Sequence, residues 1–178
     1  MKIIELSKTS PSYKGKYFTQ VDDEDYEELS KHEWNVHVAP HTCYVFREFK
    51  RKRILMHRFL LGLTDRKIQC DHIDHDGLNN QRYNLRTCSC NENQRNRRSR
   101  KNSTSKYLGV CFLNIKTKRK LKSGEEKIYI HKCYVAQIAI NKKVKHIGTF
   151  QCEEDAAKAY DKAAKEIHGE FANLNFKE

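Results

Sequence analysis

Between Cys70 and Asn96 the chain reads CDHIDHDGLNNQRYNLRTCSCNENQRN, an unusual concentration of His, Asp and Asn. These side chains suit phosphodiester hydrolysis. That reaction needs a hard divalent ion on the scissile phosphate, and carboxylate and amide oxygens are the donors such an ion prefers. It also needs an imidazole to take a proton from the attacking water. Asp71 and His72 are adjacent on a predicted strand, so their side chains start on opposite faces, one toward metal and the other toward water. Asn93, on a helix begun by Ser89, can come back beside Asp71. The expected cofactor is Mg²⁺ or Mn²⁺. A structural zinc is not expected, because Cys88-Ser89-Cys90 is C-x-C and lacks the C-x-x-C ligand spacing. Asp71, Asp74 and Asp76 also admit a plain polar loop. His75, Asn79 and Asn80 read as turn residues that fix loop geometry by hydrogen bonds, and His57 as a core histidine that packs a short helix.

The elements that must position this set can be read from local signals. Ile68–Ile73 has strand character, Asp76-Gly77 marks a turn, and Leu85–Cys88 is a second short strand. Ser89-Cys90-Asn91-Glu92 has the S-x-x-E pattern of a capping box, so a helix is predicted from about Cys90. The order is strand, loop, strand, helix. Upstream, Lys14–Val21 is β-rich, Asp22–His32 is a helix opened by acids, and Asn35–Val38 with Tyr44–Glu48 forms a hairpin around Pro40-His41. Arg53–Leu55 continues a strand, and Met56–Leu61 is a short apolar helix ended by Gly62. Downstream, three strands are predicted at Tyr107–Phe112, Tyr129–Ile140 and Val144–Phe150, with a basic hairpin tip at Lys116–Glu126. Glu153–His168 is a helix with Ala156, Tyr160, Ala163 and Ile167 on one stripe. The fold class expected is α+β: a strand–strand–helix core followed by a small three-stranded antiparallel sheet with one packed helix.

Charge divides the chain. The formal net charge is +12, yet residues 1–94 carry 15 Lys and Arg against 14 acids, and residues 95–178 carry 20 against 9. Such an excess points to a polyanionic partner. RNRRSRKNSTSK, Arg95–Lys106, has no apolar residue. It is read as a basic boundary, with domains at 1–98 and 107–178 and a linker at 99–106. Arg95, Arg97, Arg98, Arg100, Lys101 and Lys106 are placed there as phosphate contacts. No apolar run reaches membrane-spanning length and the N-terminus lacks a signal-peptide profile, so no membrane partner is expected. The seven irregularly spaced cysteines read as reduced thiols of a cytosol-like compartment.

The block DHIDHDGLNNQRYNLR…NENQRNR resembles the HNH nuclease family, specifically its phage and intron-associated branch. VDDEDYEELSKHEW and ILMHRFLLG are similar to the lead-in of such mobile-element nucleases. The resemblance implies a ββα-metal core in which Asp71-His72 is the first motif pair. Asn84, twelve positions after His72, is then the middle Asn that braces the metal loop, and Asn93 is the last metal ligand. It implies a homing or mobile-element endonuclease, phage-encoded and working in a host cytoplasm. A second resemblance covers residues 106–176. KYLGV, YVAQIAI, HIGTF, EEDAAKAYDKAAKEIHG and ANLNF are similar to the Apetala or ethylene-response-factor DNA-binding domain. This implies a sheet laid in the major groove of double-stranded DNA. On that reading Tyr134, Ala136 and Ile138 pack on the helix, and Val135, Gln137, Val144 and His146 face the groove. Lys142, Lys143 and Lys145 then serve phosphates. Several base-reading arginines and tryptophans of the plant pattern are absent, with Leu108, Cys111, Leu113, Ala139 and His146 at or near their positions, and the insertion Asn114–Lys132 offers other contacts. The function expected is a site-specific endonuclease acting as a monomer and nicking one strand. The competing reading is a DNA-binding regulator with a decayed nuclease half. It leaves the set Asp71, His72, Asn84 and Asn93 without a purpose.

Overall fold

Alternation in the first six residues, missed by the sequence reading, builds the first strand of the fold. In β1 (Lys2–Leu6), Ile4 and Leu6 turn inward while Lys2, Ile3 and Glu5 face solvent. It pairs antiparallel with β2 (Tyr17–Val21), from Lys2↔Val21 to Leu6↔Tyr17. These elements belong to a computed structural model that describes residues 1–7, 17–39, 42–97, 99, 102–121, 124–141 and 143–176. The expected turn at Pro40-His41 lies outside the described residues. Among the described residues no helix is long and apolar enough to cross a membrane.

The chain divides into two compact units, Met1–Asn93 and Gln94–Glu178. The division lies a few residues before the linker read at 99–106.

In the first unit, α1 (Asp23–Leu29) follows β2, with three acids in its first turn. Asp22 makes no side-chain cap. Its carboxylate instead accepts from the Gln81 side chain (3.1 Å) and the Arg82 amide (2.7 Å). Asp25 takes the Arg82 guanidinium at 2.8 and 2.6 Å. The acidic run therefore anchors the segment leading into the second strand of the site, in addition to matching the helix dipole. β3 (Asn35–Val38), β4 (Cys43–Phe49) and β5 (Lys52–Leu55) form an antiparallel sheet in that order, and α2 (Met56–Leu60) packs on β4. The core is Ile4, Leu6, Val21, Leu29, Trp34, Val36, Val45, Met56, Leu60 and Leu85. Trp34 is its largest member and satisfies its indole N–H on the Leu29 carbonyl at 2.8 Å. The unit ends in the hairpin β6 (Gln69–His72) and β7 (Leu85–Cys88), then α3 (Cys90–Arg95), which begins where the capping box places it.

The second unit is a three-stranded antiparallel sheet, β8 (Val110–Lys120), β9 (Glu126–Ile140) and β10 (Lys143–Phe150), with β9 central. α4 (Glu153–His168) packs on it. Ala156, Ala157 and Ala164 let the helix lie close to Ala136 and Ile138. Ala163 and Ile167 of the expected stripe are half-buried, while Ala157 and Ala164 are buried, so the contact face is rotated about one residue. Gly109 has φ +75°, and a Cβ there would stand 2.0 Å from the Tyr160 ring. The ANLNF stretch closes the unit. Asn175 accepts from the Leu108 amide (2.7 Å) and donates to its carbonyl (3.1 Å), and Asp161 accepts from Asn175 and Phe176 at 2.9 Å each. The tract read as a linker is partly tied down: Ser105 donates to Glu153 at 2.7 Å, and Thr104 accepts from the Phe112 amide at 2.9 Å. Its Ser and Thr hydroxyls cap loop amides, a use that a count of apolar residues does not register.

Candidate active site

The hairpin register sets out the site. Asp71 stands opposite Arg86, His72 opposite Leu85, and Gln69 opposite Cys88. Gln69 and Asp71 share one face of β6, and His72 takes the other. The capping box then aims α3. The Ser89 amide and hydroxyl donate to the Glu92 carboxylate at 2.8 and 2.7 Å, and the Glu92 amide donates back to the Ser89 hydroxyl at 3.3 Å. This start brings Asn93 against β6, where its Nδ2 donates to the Gln69 Oε1 at 2.8 Å. Asn93 and Asp71 are thereby gathered on one side of the hairpin.

Asp71 is only 8% exposed. Burying a carboxylate demands a partner, and Arg86 supplies it from across the hairpin, with Nε and Nη2 donating to Oδ2 at 3.0 and 2.7 Å. Sequence reasoning missed Arg86. The signal that could have found it is the cross-strand pairing of a buried acid with a base at matched distance from the turn.

His72 packs in a cluster of three rings with His57 (5.1 Å between centroids, edge-on) and Tyr44 (6.4 Å), which themselves stand 6.0 Å apart. Its Nε2 is 3.3 Å from the Asn80 Oδ1. Asn80 spends its amide hydrogens on the Thr19 hydroxyl (2.9 Å) and the Gly77 carbonyl (3.2 Å), so its oxygen is the atom presented to the ring. An oxygen acceptor there requires the proton on Nε2, which makes Nδ1 the basic nitrogen of the neutral ring. Burial pushes the His72 pKa down, and this outweighs the Asn80 bond and the nearby Asp74, Asp71 and Asp76, which favour the charged form. The neutral form, the one able to accept a proton, is favoured. Asn80, expected to be a turn residue, thus also orients the imidazole. Thr19, on β2, was not singled out by the sequence reading because only the tertiary fold brings it here.

Asn84 is 2% exposed and staples the loop between the strands. Its Nδ2 donates to Asp74 Oδ1 (2.9 Å) and the Asn79 carbonyl (2.8 Å), while its Oδ1 accepts from the Asp74 amide at 3.0 Å. It touches the loop and acts through it. Burial raises the Asp74 pKa, but the Asp76 amide, Asn79, Asn84 and His72 together hold the carboxyl below its ordinary value. Asp74 is committed to this loop. Gly77 is required by space, since a Cβ would come 1.8 Å from the Cys43 carbonyl oxygen.

His57 is held neutral, its pKa driven down to about 3 by burial, His72 and Arg58. The unfolded chain protonates it near 6.5, so the unfolded state binds more protons as pH falls from 6.5 toward 3. This contribution to stability is therefore complete above that window and lost progressively through it, by about 2 kcal/mol at pH 5 from this one group. Thermal denaturation of the wild type and His57→Phe at pH 5 and 7.5 should show a shallower pH dependence in the variant. Identical dependences would rule this out.

In the second unit, Gln137 and His146 are register partners on the sheet face away from α4. Val144 lies on the same face and is 66% exposed. Val135, expected to face the groove, is buried at 8% between the flanking strands. A shallow cleft of about 730 Å³ follows this face and is lined in part by Arg97, Ser99, Asn102, Gln137, Ala139 and Val144, so it joins the arginine-rich tract to the sheet. Lys143 and Lys145 are exposed on the edge strand β10, Lys106 is exposed, and Arg95 is half-buried in the last turn of α3. Arg98, Arg100, Lys101 and Lys142 lie outside the described residues.

Among the described residues no three His, Cys, Asp or Glu side chains cluster as a metal cage. One carboxylate with one amide oxygen, completed by water and substrate phosphate, is a pattern of Mg²⁺ sites in phosphate chemistry, and Asp71 and Asn93 are donors of those two types. The chain is 30% identical over 152 residues to an uncharacterized HNH endonuclease of Acanthamoeba polyphaga mimivirus, an alignment covering 83% of this chain and 68% of that protein. No family model matches the chain. No solved structure matches it. The architecture is mixed α and β, with small antiparallel sheets and few helices. The chain belongs to the HNH endonuclease family and is a nuclease of that type.

Proposed function

We propose that the protein is a metal-dependent, site-specific DNA endonuclease that hydrolyses a phosphodiester bond in one strand of a duplex. The observation that supports this reading is that Asp71 and His72 are neighbours on β6, that Asn93 of the following helix bonds Gln69 of the same strand, and that Asn84 staples the loop between the two strands. β6, β7 and α3 are read as a ββα-metal core. A divalent ion such as Mg²⁺ or Mn²⁺, held by the Asp71 carboxylate and the Asn93 side-chain oxygen, would supply positive charge to the scissile phosphate and the departing oxygen. Nδ1 of His72 takes the proton of the attacking water, and Asn80 steadies the imidazolium that results through Nε2–H. Arg86 pairs with the Asp71 carboxylate and fixes its orientation. Asn84 acts as a positioning residue for the loop rather than as a group in the chemistry.

Gln94–Glu178 is read as the DNA-binding half, similar to the Apetala type. Gln137, Val144 and His146 face the groove, and Arg95, Arg97, Arg98, Arg100, Lys101, Lys106, Lys142, Lys143 and Lys145 neutralise phosphates. One chain has one such catalytic set, and one set holds one scissile phosphate, so a monomer on DNA cuts one strand. Purified protein with Mg²⁺ and supercoiled plasmid carrying its flanking genomic sequence should give open circle first, with linear product absent or late. A chelator should stop the reaction. Prompt linear product together with a dimer in solution would overturn nicking by a monomer, and no cleavage with intact, specific DNA binding would favour the regulator reading.

A further inference from the structure

β8 and β9 run past the end of the three-stranded sheet. β10 reaches only as far as the pair Phe150↔Tyr134, while β8 and β9 stay paired from Asn114↔Lys132 to Lys120↔Glu126. These seven further rungs form a two-stranded ribbon about 23 Å long at about 3.3 Å per residue. Every residue on it is exposed except Tyr129, which is half-buried. Neither face covers a core, and a lone two-stranded ribbon is marginal in water. Its composition is that of a surface awaiting a partner. Ile115, Ile128 and Ile130 stand 44–57% exposed, and the paired strands hold Lys116, Lys118, Arg119, Lys120, Lys127 and Lys132 against a single acid, Glu126.

The two faces differ. One carries Ile115, Thr117, Tyr129 and His131, with the Arg119 and Lys127 charges 5.8 and 5.7 Å from the Tyr129 ring. The alternation of β9 joins this face to the side of the sheet that bears Gln137. The other face carries Lys116, Lys118, Lys120 and Lys132 together with Ile128, Ile130 and Glu126, whose carboxylate lies 3.7 Å from the Lys118 ammonium. A major groove about 12 Å wide admits a two-stranded ribbon. With the Tyr129 face toward the bases, the lysines of the opposite face lie at the level of the flanking phosphates.

We infer that Asn114–Lys120 paired with Glu126–Lys132 is a second DNA-binding element, a basic ribbon that lies in a groove of duplex DNA beside the stretch met by the sheet. The inference rests on the reading of Gln94–Glu178 as the DNA-binding half, and the experiment separates the two. Full-length wild type, Lys116→Glu with Lys132→Glu on the ribbon, Lys158→Glu with Lys162→Glu on the exposed side of α4, and Gln137→Ala with His146→Ala on the sheet are titrated with a 30-base-pair duplex across a salt series. The ribbon pair should bind about 10- to 100-fold more weakly near 0.1 M salt, with a log–log slope shallower by roughly 2, while the charge-matched α4 pair changes little. Equal loss in the ribbon and α4 pairs, or no loss in the ribbon pair, overturns the ribbon assignment. If the ribbon and sheet pairs both leave binding unchanged, the DNA-binding reading of the whole unit falls as well. Unchanged DNA binding with a shift from dimer to monomer on sedimentation would assign the ribbon to a second copy of the chain and sink the inference.

Discussion

Replacing His72 by alanine should lower the cleavage rate by about 10²- to 10⁴-fold, the usual contribution of a positioned general base, while leaving duplex affinity nearly unchanged. The imidazole is buried at 6% exposure, favoured neutral, and oriented with Nε2 toward Asn80, so its removal deletes a base and no phosphate contact. Asp71→Ala should also be inactive but for a different reason. It removes the expected metal carboxylate and strands Arg86, so its defect should appear as weakened metal dependence as well as lost rate. Single-turnover cleavage on a nicked-product gel, with binding measured separately, distinguishes the two. A His72→Ala protein that cuts at near wild-type rate would falsify the general-base assignment.

The second large effect is expected one residue further back in the network. Asn80→Leu removes the acceptor for His72 Nε2–H and frees the ring to take the other tautomer. Losing the group that sets an imidazole tautomer is costly wherever that imidazole is the base, and about a hundredfold fall in cleavage is expected. The same change takes away the donor that Asn80 supplies to the Thr19 hydroxyl oxygen and the Gly77 carbonyl, so a stability loss of about 1–3 kcal/mol should accompany it. The two effects separate by nitrogen NMR of the His72 ring. The wild type should show the Nε2–H tautomer, and the variant should lose it even at temperatures where it is fully folded. A folded Asn80→Leu protein with the wild-type tautomer and rate would show that Asn80 only braces the loop.

Much of the site was legible because its signals are local. Asp71-His72 on a strand, the Ser89–Glu92 box and the α4 span Glu153–His168 depend on side chains within a turn or two of one another, and the structure has each element where the pattern puts it. β1 is not legible in the sequence because a five-residue strand with one apolar face is a weak pattern until its partner is known. The extent of β8 and β9 was underestimated because lysines every second residue look like a solvated loop. Backbone pairing along the hairpin holds them extended all the same.

By itself, the sequence determined which groups are available for chemistry. These are the Asp71-His72 pair, the asparagines around it, a helix begun by its own serine and glutamate, and a positive charge gathered in the second half. Residue type and short spacing are enough for those statements, since they concern neighbours along the chain. Which atoms of those groups are free to act was decided by tertiary structure. Thr19 orients Asn80 from 61 residues away, Asn80 selects the His72 tautomer, Arg86 neutralises Asp71 across the hairpin, and Asp22 and Asp25 hold Arg82 from nearly sixty residues upstream. Hydrogen-bond partners, burial and the pKa shifts they cause depend on distances in space that no spacing along the chain encodes.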